Sequence, residues 1–298
     1  MVLVVGATGL LGGEICRRAL EAGHPVRALV RASSNSEKVG LLESAGAATV
    51  VADLKAPASI ATACEGVSAV ITTASCTFSR QEGDSIETVD RLGNLHLIDA
   101  AQRAGVGRFI HVSIPPGVRD ECPLFQAKRE VEDALVQSGM DYTILLANYF
   151  MEVWLSSALG FDYENHRATV YGGGEGPIGW VSYRDVAGVA VDALGNSAAR
   201  NKALLVGGPE NLTPHEAVRI FEGVTGHAFT LDHVPGEALE KQYLEAGDPL
   251  SRSFAALMLG YAQGSPMDMR ETLSLMPRPL TTIREYATAV GGTHAGGG

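Results

Sequence analysis

Val4-Val5-Gly6-Ala7-Thr8-Gly9-Leu10-Leu11-Gly12 carries an apolar run into a glycine-spaced turn and out again into helical spacing. The run from Val2 to Val5 is what a strand buried on both faces looks like. Residues 10–22 have helical spacing and stop at Gly23, a natural C-cap. In that context the three glycines have separate uses. Gly6 permits a tight turn, Gly9 lets the backbone approach a pyrophosphate, and Gly12 permits close packing of helix on strand. The helix N-terminus adds free N–H groups and the positive end of its dipole. Glycine spacing alone is a weak signal, but inside a strand–turn–helix unit it points to dinucleotide binding. Thr8, Leu10 and Leu11, within the same turn, belong to the expected contacts.

Outward from this turn, short apolar runs alternate with helical patterns. Strands are expected at 25–30, 48–52, 69–73, 108–113 and 142–146. Helices are expected around 39–44, 58–64, 85–104 (closed by Gly105) and 124–138 (closed by Gly139). Six strand–helix alternations predict an α/β fold with a doubly wound parallel sheet of the Rossmann type, right-handed crossovers, and ligands at the carboxyl ends of the strands. After Leu146 the pattern loosens. Residues 171–180 hold Gly or Pro at six of ten positions and read as loop, a candidate flap. Helical spacing returns at 182–192, 213–225 with a Thr213/Glu216 capping box, 236–246, 253–260 and 281–290, with a short strand at 203–206. The reading is a dinucleotide-binding core over 1–150 with additions from 181–206. Residues 151–180 and 207–290 form a smaller substrate-binding lobe, in which Met151, Trp154, Tyr163 and Trp180 are candidate apolar lining. A disordered tail is expected at 293–298.

Composition narrows the function. The 298 residues are 46% hydrophobic and 19% charged, with a formal net charge of −11. Such a surface repels phosphate backbones, so nucleic acid is not an expected partner. No apolar stretch reaches the ~18 residues of a membrane span, and strand-like residues from Val2 leave no room for a signal peptide. Cys16, Cys64, Cys76 and Cys122 form no C-x-x-C pair and read as thiols of a reducing compartment. The eight histidines show no ligand spacing, so no metal is expected. The expectation is a cytoplasmic monomer or homodimer that takes a small-molecule substrate.

Individual residues sharpen the cofactor. Arg31 follows the second strand where NAD-binding folds place an acid. With Ser33, Ser34 and Lys38 it suits a 2′-phosphate and so NADP(H) ahead of NAD(H), although a solvated strand-end arginine reads the same way. Asp53, ending the third strand, can accept from an adenine amino group or cap the following turn. Leu124, Lys128, Val131 and Leu135 share one helix face, which puts a lysine in the inward stripe. A lysine held there can act as acid or base, or instead snorkel to solvent or pair with Glu132. Ser113 ends the fifth strand, facing the expected crevice.

The chain resembles the short-chain dehydrogenase/reductase superfamily, and within it the atypical NmrA-like branch. The resemblance rests on Gly6–Gly12, Val30-Arg31, Ala52-Asp53-Leu54, residues 95–113 and Lys128-Arg129-Glu130. It extends through Ser138-Gly139-Met140-Asp141-Tyr142-Thr143-Ile144-Leu145, Val181-Ser182-Tyr183-Arg184-Asp185-Val186-Ala187 and residues 279–286. It covers nearly the whole chain. It implies cofactor contacts from Leu54, Thr73, Ala74, Ser75, Lys128, Asn148 and Phe150, with Lys128 and Ser113 as catalytic residues. The superfamily uses a Tyr-x-x-x-Lys pair. Here the lysine position is Lys128 and the tyrosine position is Leu124. The resemblance therefore implies an NADPH-dependent reductase of a small apolar carbonyl, quinone or enone. The alternatives are a non-catalytic NADP(H)-sensing regulator that binds a protein partner, and an NADP-dependent isomerase or epimerase.

Overall fold

The computed structural model describes residues 1–77 and 80–291, so the tail expected at 293–298 lies outside the described residues. The chain runs β1 (Val2–Val5), α1 (Leu10–Glu21), β2 (Val26–Val30), α2 (Ser36–Ser44), β3 (Ala48–Val51), α3 (Pro57–Cys64), β4 (Ala69–Thr72), α4 (Leu92–Arg103), β5 (Arg108–Ser113), α5 (Pro123–Gln137) and β6 (Asp141–Ala147). It continues through α6 (Met151–Trp154), β7 (Phe161–Asp162), β8 (Arg167–Tyr171), α7 (Tyr183–Gly195), β9 (Lys202–Val206), α8 (Pro214–Thr225), β10 (Thr230–Val234), α9 (Gly236–Glu245), α10 (Pro249–Gln263), α11 (Arg270–Leu275) and α12 (Ile283–Gly291). Two compact units result. One comprises Met1–Ile114, Pro123–Leu146 and Val186–Leu204, and the other Pro115–Cys122, Ala147–Asp185 and the chain from Leu205 onward.

The first unit is the expected doubly wound α/β sheet. Its seven strands lie in the order β3-β2-β1-β4-β5-β6-β9, and every pairing among the first six is parallel. The order reverses between β1 and β4, which makes their carboxyl ends the switch point where ligands of such sheets bind. All four residues of β1 are buried, as its uninterrupted apolar run requires. No residue of the edge strand β3 is fully buried, and Val51 there is 66% exposed. On α1, Leu11, Ile15 and Ala19 repeat at i, i+4 and i+8 and are all buried against the sheet unit.

One expected helix, 85–104, is two pieces. Ser85 caps a six-residue π-helical turn, Ile86–Arg91, and α4 follows it. The widened turn loosens two carbonyls, and the Asn94 amide donates to both, Val89 at 3.0 Å and Asp90 at 3.2 Å. Gly93 marks the tight spot beside it, since a Cβ there would sit 2.8 Å from Leu54 Cβ and 2.9 Å from the Thr88 carbonyl. Insertions of this kind concentrate at functional positions.

The second unit contains a sheet that periodicity alone does not announce. β10 pairs parallel with β8, and β8 antiparallel with β7. Its core is aromatic. Trp154 stacks on Tyr261 at 5.5 Å, Phe161 meets Phe221 edge-on at 4.7 Å, and Trp180 is 1% exposed with its indole N–H donated to the Leu212 carbonyl. Met151, Trp154 and Trp180, with Tyr163 against them, are thus packed into this core. The 171–180 segment is pinned within the same unit, with Ile178 bridged to Leu212 and to Ser265. No helix among the described residues is long and apolar enough to cross a membrane.

The capping box at α8 is formed as its sequence predicts. Thr213 Oγ1 accepts the Glu216 N–H at 3.1 Å, and Glu216 accepts the Thr213 N–H at 2.8 Å. Thr213→Ala should therefore lower stability by about 1 kcal/mol while Thr213→Ser keeps most of it, as read by urea denaturation.

Candidate functional site

The β1–α1 turn is a cradle emptied of side chains. Gly6 has φ +86°, and a Cβ there would lie 2.6 Å from Thr73 Oγ1. A Cβ on Gly12 would lie 2.1 Å from the Gly6 carbonyl oxygen, which no real contact permits. Gly9 is different, because only the Gly6 oxygen, at 3.1 Å, borders its missing Cβ. Gly9 is also the N-cap of α1 and brings no side-chain cap, so the helix's first N–H groups are not taken by one. Leu10 at this end is 51% exposed and Leu11 is buried. Lys38 reaches the same turn, with Nζ donating to the Thr8 carbonyl at 3.3 Å. Backbone donors, a dipole end and open space suit a pyrophosphate.

Neighbouring residues of the expected set fall around this turn in different ways. Thr73 abuts Gly6 and hydrogen-bonds the Val5 carbonyl through its N–H at 3.0 Å. Ala74 and Ser75 follow it, half-buried, with Ser75 Oγ paired to Thr77 Oγ1 at 3.1 Å. Asp53 Oδ1 accepts the Lys55 N–H at 2.8 Å, so it caps its turn. Leu54 is buried under Gly93 and serves the packing of α4. Arg31 is not a solvated arginine: its Nη1 donates to the carboxylate of Asp84 at 2.6 Å.

Lys128 lies in the inward stripe of α5, its side chain 6% exposed. It neither snorkels nor pairs with Glu132. Its Nζ is 3.3 Å from Oδ1 of Asp90, a fully buried carboxylate in the π-helical turn. The contact is one of charge, because Asp90 Oδ1 has no aligned hydrogen bond among the described residues. Asp90 Oδ2 accepts the Cys76 N–H at 3.0 Å, and Thr72 Oγ1 donates to Asn94 Oδ1 at 3.0 Å. Burial first, then the Asp90 charge, push the Cys76 thiol up to about 12, so it stays protonated. The segment after β4 therefore connects the glycine cradle, through Thr73, to the Asp90–Lys128 pair, through Cys76. No motif or spacing in the sequence marks Asp90. The only signal for it was the long helical run that began near it.

Ser113 is 2% exposed, and its hydroxyl donates to Glu132 in a short hydrogen bond. Glu132 also holds Arg129 at 2.6 Å, and Arg129 donates to the Ile114 carbonyl. Burial raises the Glu132 carboxyl despite the hydrogen bond from Ser113. Two residues back, on the same face of β5, His111 is 1% exposed, and neither ring nitrogen has a hydrogen-bond partner among the described residues. Burial, reinforced by the charges of Lys128 and Arg129, holds its pKa well below the ordinary histidine value.

Asn148 and Phe150 belong to the second unit. The Asn148 amide donates to the Gly179 carbonyl at 3.2 Å and the Ser265 carbonyl at 2.7 Å, and its oxygen accepts from Ser265 Oγ at 2.9 Å. Its donors are thus committed to tying two loops together. Phe150 is half-buried and bridges to Val181. Tyr149 does not substitute for the tyrosine missing at Leu124: its hydroxyl donates to the Leu257 carbonyl at 2.8 Å, and burial raises its pKa. Leu124 itself is 2% exposed.

A parallel sheet with a glycine cradle at its switch point and a buried lysine one loop away defines a dinucleotide-binding protein of the atypical short-chain dehydrogenase/reductase kind. Residues 1–287 match the model of the NmrA-like family, and the chain belongs to that family. It is 31% identical to a photosystem II assembly factor, Ycf39, of Synechocystis over 296 residues, which cover 96% of this chain and 89% of that relative. It is 30% identical to an NAD(P)H azoreductase of Xenophilus azovorans, covering 97% of each. Its fold is that of an NADPH-dependent quinone oxidoreductase of Escherichia coli solved with NADPH, with a TM-score of 0.77, 24% identity, and coverage of 97% of this chain and 99% of that one.

His111 sets a pH dependence. The unfolded chain takes a proton at this residue below the ordinary value of 6.5, and the folded chain does not. Stability at this residue is therefore complete above that value and is lost as pH falls below it, by up to about 1.4 kcal/mol per pH unit. The loss should be absent in His111→Phe, as measured by urea denaturation of both proteins at several pH values. Equal slopes in the two would show that His111 titrates freely when folded.

Proposed function

We propose that this protein is an NADPH-dependent reductase of a small, mostly apolar carbonyl, quinone or enone. The buried Lys128–Asp90 pair carries the reading. A charged pair taken out of water costs several kcal/mol per ion unless its geometry compensates, so an apolar pair would pack this position more cheaply. Keeping it one loop from a phosphate cradle suits proton delivery. The reductases among its relatives support the same reading. NADP(H) fits the residues present: Gly6, Gly9, Gly12 and the first N–H groups of α1 would hold the pyrophosphate, with Thr8, Leu10 and Leu11 around it, and Arg31 would take the 2′-phosphate. When bound, the cofactor supplies the hydride.

The chain's own residues have three tasks. Lys128 Nζ donates a proton to the acceptor oxygen, directly or through one water. Asp90 keeps the ammonium in place and supplies its counter-charge. Ser113 has its hydroxyl hydrogen committed to Glu132, so it offers lone pairs to a substrate donor. It can polarise a substrate oxygen only when Glu132 takes up a proton. The burial that raises the Glu132 carboxyl favours that exchange.

A second reading, a protein that binds NADP(H) without turning it over and acts on a protein partner, is favoured by Leu124 at the tyrosine position and by the resemblance to an assembly factor. One set of measurements separates the two. NADPH binding is followed by calorimetry, and NADPH oxidation by absorbance with quinones, enones and azo dyes. The expected result is turnover that falls at least about a hundredfold in Lys128→Met. NADPH binding persists in that variant and is lost in Gly12→Ala. Unchanged turnover in Lys128→Met removes the proton role, and tight binding with no turnover across the panel favours the second reading. No binding by the unaltered protein overturns both.

A further inference from the structure

We propose that Lys55 determines the preference for a 2′-phosphate, by neutralising the buried carboxylate of Asp84 so that the charge of Arg31 stays available to the ligand. The inference rests on the NADP(H) reading above and concerns a residue that reading does not use. Three loops, following β2, β3 and β4, meet at Asp84. Its side chain is 1% exposed. Arg31 Nη1 donates to Oδ2 at 2.6 Å, Lys55 Nζ to Oδ1 at 2.6 Å, and the Gln81 N–H to Oδ2 at 2.9 Å. Burial alone would raise this carboxyl, but the hydrogen bonds from Lys55 and Arg31 hold it below its ordinary range.

The charges decide what each cation does. With Arg31 as its only cation, an ionised Asp84 would cancel the guanidinium, and a 2′-phosphate would meet a neutral pair. Lys55 supplies the second positive charge on the other carboxylate oxygen. Its ammonium is committed further by the Glu82 carbonyl at 3.0 Å and lies 3.8 Å from Asp53, so it serves as a fixed charge within the cluster. Arg31 uses one nitrogen on Asp84 and is a planar fork of five N–H donors, the shape that suits a phosphate. Gln81 closes the arrangement from the third loop, with its amide on the Ser33 carbonyl at 3.3 Å. Lys55 is thus a positioning residue that acts through Asp84.

The test compares 2′,5′-ADP with 5′-AMP, which differ only in the 2′-phosphate, by calorimetry on the full chain. The unaltered protein should prefer 2′,5′-ADP. Lys55→Met should lower that preference by about tenfold or more, the loss expected when a charge-assisted hydrogen bond is weakened. Affinity for 5′-AMP should stay level, and Lys55→Arg should retain the preference. Because Lys55 acts through Asp84, the neutral pair Lys55→Met with Asp84→Asn should regain preference over Lys55→Met alone. An unchanged preference in Lys55→Met, a proportional loss of both ligands, or no recovery in the double variant each overturns the inference. Failure of the unaltered protein to bind 2′,5′-ADP or NADPH would overturn the NADP(H) reading instead.

Discussion

The close crossing of α1 over the first turn is the constraint on which the rest of the first unit depends. The carbonyl of Gly6 occupies the space that any side chain at residue 12 would need. That contact lets α1 start directly at the end of β1. Because β1 is buried along its whole length it sits centrally in the sheet, and the strand order reverses beside it. The helix N-terminus is thereby delivered to the switch point with its first N–H groups lacking a side-chain cap. Dipole, donors and open space at Gly9 are consequences of one steric fact.

Next to this cradle stands a buried polar network: Thr72, Asn94, Asp90, the Cys76 N–H and Lys128. In a medium of low polarisability such groups interact strongly when paired and are costly when not, so the network tolerates little rearrangement. The π-helical turn is part of the arrangement. It widens the helix where Asp90 must reach both the loop after β4 and the ammonium of α5, and Asn94 satisfies the carbonyls left loose. A second network, Ser113–Glu132–Arg129, fixes the end of β5, with the unpartnered His111 on the same strand face. The neighbouring charges of Lys128 and Arg129 help keep that ring neutral.

Much of the first unit was legible because its signals are local. Apolar runs gave the strands, 3.6-residue spacing placed Lys128 on the inward face, and glycines marked the turns. The second unit was less so. Its strand β8, Arg-Ala-Thr-Val-Tyr, alternates with Ala168 and Val170 inward but is only five residues long and runs straight into glycine-rich chain, and β10, Thr-Leu-Asp-His-Val, buries none of its residues fully, so neither stands out in the sequence. Likewise, no local signal says that residues 115–122, between β5 and α5, are held by α9. There Arg119 pairs with Glu240, and its guanidinium lies 5.1 Å from the Tyr243 ring. Nor does any local signal show that the amide of Asn148, a contact implied by the resemblance, makes three hydrogen bonds within its own unit.

By itself the sequence determined the parallel α/β core, the glycine cradle and the burial of Lys128, because each is written in steric or periodic relations among residues near one another in the chain. Tertiary structure alone decided the partners of the charges. Asp90 meets Lys128 across 38 positions, and Asp84 meets Arg31 and Lys55 across 53 and 29. Which carboxylate neutralises which cation depends on loops brought together by the sheet, and Coulomb interactions are set by distance in space, for which spacing along the chain offers no guide.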